Sequence, residues 1–477
     1  MSSRSMTKGT VYLIIAQVVF MVSGYAIHFG LARLLGPALY GVYGVVISLI
    51  SIVNILLTSG AFQAVAKHIS AGDDQEIVKR VALKLQFAFS IIVFVVYELL
   101  ADFFALILGD TSIVLFIRIS GFIMIGYALY SVFIGYFNGL REFKKQAGLQ
   151  IVYSLSKMIF MIGFVFIGFS LYGALIGFAL APFLVFFIGV MLTGVGKNDQ
   201  YDWKRLAKFA WPVIIFSVAS SFLVSIDLFS VKAIIGENVQ TGFYNAATTL
   251  ARIPYSILGA IGFALFPSIS YVFAKNDMVS VKRYGKESVR YLLIFLLPIT
   301  FLFSSTSGEL AKFLYGSEYA IAGNPLGLLV FGFAFLTVFS LLATTIIASG
   351  KPKVAMIYTI IMVCGAYVFN RLLIPIYDLN GAAIANSIAM FIGMLLAFVF
   401  VTKNFGSFFE ITSLIRIIGA SLIIYYICKI FVLSGGLLII QYLLTMLLYF
   451  GILISIREIN KRDIERLRQL LPAKISF

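Results

Sequence analysis

Asp227, Lys232 and Arg252 stand inside sequence that is otherwise apolar. A charge at the centre of a bilayer costs about 3 kcal/mol on insertion scales, so such residues are kept for pairing or for function. Counted from the ends of their apolar runs near residues 235 and 244, Asp227 and Arg252 each lie about eight residues in, or ~12 Å at the helical rise. That depth lets them meet across adjacent antiparallel helices. Two readings stand. One is an Asp–Arg pair that staples two helices. The other offers Arg252 and Lys232 as positive charge to a phosphate or diphosphate, with Asp227 modulating them. Arginine suits phosphate through its planar fork of donors.

Arg118 and Lys157 complete the set of candidate substrate-binding cations. Arg118 has a local partner in Asp102 across the short 109–112 turn, and Glu98 lies one turn deeper on the same face. Lys157 has only Ser154 and Ser156 beside it in sequence, so it faces a cavity or a cross-helix acid such as Glu98. Asp227 and Glu98 are the candidates for coupling to H⁺ or Na⁺. Arg371 and Lys429 sit near the ends of their runs and read as snorkelling residues, and His28 as a hydrogen-bonded packing residue. No catalytic set, cofactor site or metal site is expected. The two His, His28 and His68, lie far apart, and Cys364 and Cys428 each stand inside an apolar run. The nearest phosphate-loop lookalike, MLTGVGKN, lacks the first Gly and the Ser/Thr after Lys197.

The elements that must position these residues are membrane helices. The 477 residues are 61% hydrophobic and 12% charged, outside the range of soluble domains. Continuous apolar runs of about 20 residues argue for helices rather than a β-barrel. We read about fourteen spans: 10–32, 40–62, 85–108, 112–137, 147–168, 171–195, 210–235, 244–269, 291–313, 325–349, 354–376, 381–402, 412–432 and 436–456. The first is read as a retained helix, because its apolar run is too long for a signal peptide. With both termini cytoplasmic in a plasma or inner membrane, and with Lys312 and Arg416 counted with the loops that adjoin their span ends, 28 of the 36 Lys and Arg fall inside, two (Arg33 and Lys312) outside and six within spans. The net charge of +16 is therefore a topology signal, and no nucleic-acid partner is expected. Residues 196–209, with Trp203, Leu206, Ala207 and Ala210 at helical spacing, read as a helix lying on the membrane surface. The basic tail over 457–477, with Ile459, Ile464, Leu467, Leu470 and Leu471 on one side, reads likewise.

One junction is written twice. LLGPALYGVYG (Leu34–Gly44) returns as IIGENVQTGFYNAA (Ile234–Ala247), with Gly36 and Gly236 200 residues apart and Gly41-x-Tyr43 matched by Gly242-x-Tyr244. YGALIG at Tyr172 echoes NGAAIA at Asn380. An offset of six helices keeps orientation, so this is a parallel repeat about a pseudo-two-fold axis normal to the membrane. The expected organisation is a six-helix lobe over 1–195, a linker over 196–209, a second six-helix lobe over 210–402, two further helices over 403–456 and the basic tail. The glycines themselves serve turns and close packing.

The runs KGTVYLIIAQVV…LARLLGPALYGVYG and SIDLFSVKAIIG…GFYNAATTLARIPYSILGAIGFALFPSIS, together with NGAAIA, resemble the polysaccharide and lipid-linked oligosaccharide flippases. These share a superfamily with lipid II flippases and multidrug/toxin extrusion transporters. The resemblance covers nearly the whole chain. It implies an all-α, V-shaped transporter with two lobes and a central cavity lined largely by the first, second, seventh and eighth helices. It also implies a substrate of sugar on a polyprenyl (di)phosphate, with membrane lipids and glycan-assembly enzymes as partners. Two helices beyond the twelfth fit that branch better than the drug transporters.

The function expected is thus flipping of a lipid-linked oligosaccharide from the cytoplasmic to the outer leaflet by alternating access, driven by membrane potential or by H⁺ or Na⁺. Two alternatives are kept. A multidrug or cation antiporter would call for an acidic cavity, whereas six basic residues lie within the spans. A membrane-embedded glycan transferase or ligase would call for a substantial outer loop, whereas the longest, around Gly308–Asn324, carries only Glu309 and Glu318 as acids.

Overall fold

The computed structural model describes residues 3–197, 202–204, 206, 214, 217–218, 220–274, 277–460 and 463, with backbone alone for 3–8 and 259–274. The expected surface helix over 196–209, the first part of the seventh span and the tail positions Ile464, Leu467, Leu470 and Leu471 lie largely outside them. The described chain is helical throughout: α1 Ser3–Ser70, α2 Gln75–Leu99, α3 Ala101–Ile107, α4 Val114–Gly139, α5 Phe143–Phe164, α6 Ser170–Thr193, α7 Ile226–Ile235, α8 Asn238–Ala274, α9 Met278–Ser305, α10 Ser307–Tyr315, α11 Gly323–Ala348, α12 Pro352–Phe405, α13 Ile411–Ile430 and α14 Leu437–Ser455.

Nine helical stretches among the described residues are long and apolar enough to cross a membrane. Three of them, Gly9–Ser70, Phe143–Thr193 and Pro352–Phe405, run 62, 51 and 54 residues, where about 20 suffice for one crossing. Each contains a backbone break. In α1 it is Gly36 (φ 71°, ψ 171°), between α5 and α6 it is Gly168 and Ser170, and in α12 it is Asp378. Divided there, these stretches supply two crossings apiece. Ile226–Ile235 and Asn238–Ala274 occupy the described parts of the seventh and eighth expected spans. The protein is a multi-pass helical membrane protein.

The helices outrun the apolar windows. The stretches left between expected spans, 63–84 and 271–290, are mostly helix: α2 starts at Gln75 and α9 at Met278. Hydropathy falls at the first charges, but the backbone keeps winding until a capping residue stops it. Asp74 Oδ1 accepts from Glu76 N at 2.9 Å and Ile77 N at 3.1 Å, and Asp277 Oδ1 accepts from Ser280 N at 3.0 Å.

The repeat is written in the backbone. Gly36 and Gly236 both take positive φ, 71° and 79°, a region open to glycine at little cost. Ser170 (φ 49°, ψ −143°) and Asp378 (φ 49°, ψ −130°) share one further conformation. Each stands three residues before the matching glycine, Gly173 or Gly381. Non-glycine residues enter that region only at a cost of about 1–3 kcal/mol.

The chain divides into two compact units, Met1–Asn245 and Ala246–Phe477. In the first, α1 packs along α4 and α5, α6 covers both of those, and α2 lies on α4. In the second, α11 packs along α12, while α9 joins α11 to α13, and α14 lies on α13.

Candidate functional site

Two charged residues of the first unit, Lys232 and Asp110, meet where α7 turns into α8. Gly236 ends α7 in a left-handed conformation and α8 starts at Asn238. Lys232, in the last turn of α7, is wholly buried. Its Nζ donates to Asp110 Oδ2 at 2.6 Å, to Gly236 O at 3.3 Å and to Asn238 Oδ1. Asp110 lies in the turn after α3, where Ser112 N (3.0 Å) and Ser112 Oγ (2.6 Å) also donate to it. Burial pushes the Asp110 carboxyl up, but its bonds to Lys232 and Ser112 outweigh that and hold it below the ordinary carboxylate value.

The duplicated junctions meet at the same place. A Cβ on Gly41 would stand 2.7 Å from Gly242 N, and one on Gly242 would stand 2.8 Å from Pro37 C. Asn245 Nδ2 donates to Tyr40 O at 3.3 Å. Both tyrosines of the repeated Gly-x-Tyr, Tyr43 and Tyr244, are fully buried. Glycine at 41 and 242 thus lets the two junctions pack backbone on backbone.

Asp227 is fully buried on α7. Its Oδ2 accepts from Tyr244 Oη at 2.9 Å and its Oδ1 from Leu228 N at 2.9 Å. The eighth apolar run starts at residue 244. The helix begins six residues earlier, at Asn238, and that register sets Tyr244 against Asp227. Arg252 belongs to the second unit, half-buried, with its guanidinium 5.7 Å from the Phe333 ring centre.

Elsewhere in the first unit, Arg118 Nη2 bonds Asp102 Oδ2 at 2.9 Å, the local pair expected, with both side chains exposed. Lys157 and Glu98 form no described pair. The Lys157 ammonium lies 3.7 Å from the centre of the Phe178 ring and makes no hydrogen bond or ion pair among the described residues. It stands one turn along α5 from Tyr153, whose ring packs with Tyr127 and Tyr130 at 5.5 and 5.1 Å. Glu98 Oε1 is buried with no hydrogen-bond partner among the described residues. His28 Nδ1 pairs with Tyr40 Oη at 2.9 Å, a packing role.

Sequence reasoning missed Asp110 and Asn238, and the role of Tyr244 as partner of Asp227. Asp110 and Asn238 sit in short polar turns, where a lone Asp or Asn reads as turn chemistry. Tyr244 reads as half of the repeated Gly-x-Tyr, and nothing in its spacing marks it as a partner for Asp227.

The chain is 26% identical over 393 residues to a Shigella flexneri protein described as "Putative O-antigen transporter", covering 77% of this chain and 90% of that one. Its fold matches a solved structure described as lipid II flippase MurJ in an inward closed conformation. The TM-score is 0.78 at 16% identity, with 95% of this chain and 99% of that one covered. An inward-facing multidrug resistance MATE family transporter of the MOP superfamily matches with a TM-score of 0.62 at 16% identity, over 84% and 98% of the two chains. Residues 30–322 match the family described as polysaccharide biosynthesis protein, and the chain, a multi-pass helical membrane protein, belongs to that family.

Proposed function

We propose that the chain is a flippase. It carries an oligosaccharide on a polyprenyl (di)phosphate from the cytoplasmic to the outer leaflet of the cell membrane, with both termini cytoplasmic. The observation that carries this reading is the contact between the two repeated junctions, closed by the buried Lys232–Asp110 pair. In the orientation given by the Lys/Arg bias, that contact lies at the outer end of the helices and serves as an outer gate. A transporter built as a parallel repeat works by rocking its halves about a central site. The gate must then part for the headgroup to leave, while the lipid tail stays in the bilayer.

Similarity to a protein named for O-antigen transport supports a glycan cargo. The cations assigned to the diphosphate are Arg252 and Lys157; Lys232 is given to the gate, and Arg118 bonds Asp102. An anion leaving an inside-negative cell gains about 2.3 kcal/mol per charge per 100 mV, so no nucleotide hydrolysis is required. Of the two candidate coupling acids, Asp227 has both oxygens engaged, whereas Glu98 keeps Oε1 open to a proton or Na⁺. The test is removal of the chain from its host. Lipid-linked oligosaccharide is expected to build up on the inner leaflet while surface glycan falls. Unchanged surface glycan with no build-up would overturn the reading.

A further inference from the structure

A cavity of about 520 Å³ opens in the second unit where α9 begins, α13 begins and α14 ends. None of its lining residues is assigned to transport above. Phe408, on the loop between α12 and α13, forms part of its floor and is 3% exposed. The ring is seated against Gly285, where a Cβ would come within 2.5 Å of it.

The charges around the cavity divide into two groups. The first is a closed lock. Arg290 donates to Glu458 Oε1 at 2.8 Å and to Asp463 at 3.0 and 3.2 Å. Glu458 also takes Ser413 Oγ and lies 3.5 Å from Arg416. Tyr291 Oη donates to Asp463 at 2.8 Å. These acids are therefore already neutralised. The second group is open. Lys282, Lys286 and Arg457 line the cavity and make no side-chain hydrogen bond or ion pair with another described residue. Arg283 adds a fourth cation, placed 5.3 Å from the ring of its neighbour Tyr284. The remaining lining acids are Glu287 and Glu410.

Unpaired cations sharing one cavity repel each other, and an anion relieves that. Arg457 reinforces the point. It takes a left-handed conformation, φ 57°, just past α14, where glycine ordinarily ends a helix. An arginine there accepts about 1 kcal/mol of backbone strain. Beside the cavity, Val279 is 82% and Ile411 74% exposed. The site thus offers cations next to an apolar face, at the end of the helices that the Lys/Arg bias assigns to the cytoplasm.

We propose that this cavity binds the phosphate headgroup of an anionic lipid of the cytoplasmic leaflet. Lys and Arg supply charge-assisted bonds to phosphate oxygens, and basic pockets between helices on that side suit such headgroups. The volume is that of a small-molecule site, about 300–1,000 Å³. The site does not depend on what the transporter carries.

The test measures lipid retained by the full-length purified protein, by native mass spectrometry and by thermal shift. The probes are phosphatidylglycerol, phosphatidylcholine and inorganic pyrophosphate. Native protein is expected to retain phosphatidylglycerol and be stabilised by it over phosphatidylcholine. The triple variant Lys282→Gln, Lys286→Gln, Arg457→Gln should bind it at least tenfold more weakly. Arg457→Gly, which keeps the turn and removes one cation, should weaken it about threefold without lowering the lipid-free melting point. A control variant, Lys351→Gln with Lys403→Gln, should bind as native does. Equal phosphatidylglycerol binding by native and triple variants overturns the proposal, as does an equal loss in the control. Stabilisation by pyrophosphate without lipid retention assigns the cavity to a free anion and overturns the lipid.

Discussion

Lys232 and Asp110 lie 122 positions apart in sequence, and their side chains form a 2.6 Å ion pair with Lys232 wholly buried. Removing one partner of such a pair strands the other charge, which costs about 3–5 kcal/mol. Asp110→Ala should therefore shift the proposed gate toward its open state. The readout is a cysteine placed at Thr241, which is fully buried at the junction, with Cys364 and Cys428 replaced by Ser. A membrane-impermeant maleimide should label it at least tenfold faster in the Asp110→Ala background. Equal rates would show that the pair does not hold the junction shut.

The same pair has a pH signature. The Asp110 carboxyl is held below its ordinary value, so its contribution is fully present above about pH 4, the free carboxylate value. It is lost as pH falls through the depressed value. Labelling of the Thr241 cysteine in the parent background should stay slow from pH 8 to 5 once corrected for thiol reactivity, and rise only in stronger acid. A rise between pH 7 and 6 would contradict the assignment.

Gly41 and Gly242 leave no room for a methyl group against the opposite backbone. Gly41→Ala and Gly242→Ala should each prevent full closure, leave the amount of folded protein largely unchanged and reduce transport at least tenfold. Normal transport by either variant would remove close junction packing from the mechanism.

Ser170 and Asp378 hold matching strained conformations at the helix breaks of the two repeats. Glycine relieves that strain, at some entropic cost in the unfolded chain. Ser170→Gly and Asp378→Gly should each stabilise the purified protein by about 1 kcal/mol, read as a higher melting temperature. A lower midpoint for both would argue that the side chains, not the backbone, matter there.

Much of this was legible in the sequence, and the limits have physical causes. Fourteen apolar runs, the doubled Gly-x-Tyr and the YGALIG/NGAAIA echo reflect bilayer thickness and backbone geometry, both of which leave local marks. The Arg118–Asp102 pair was legible because a short turn joins its helices. Lys232–Asp110 was not, because its partner arrives from a polar turn in a distant segment. The Asp227–Tyr244 contact was hidden by the six residues Asn238–Phe243, which extend α8 past its apolar window. The basic cavity was hidden for the same kind of reason: Lys282, Lys286 and Arg457 read as topology charges until folding brings two distant segments together.

The central claim is transport of a lipid-linked, diphosphate-bearing glycan, and leaflet exchange in reconstituted vesicles tests it most directly. Labelled polyprenyl-diphosphate oligosaccharide should cross the bilayer at least a hundredfold faster with the protein than in protein-free vesicles. Arg252→Ala should slow that exchange at least tenfold at equal protein content. No acceleration for any polyprenyl-diphosphate glycan, in vesicles where the protein remains folded, would contradict the account.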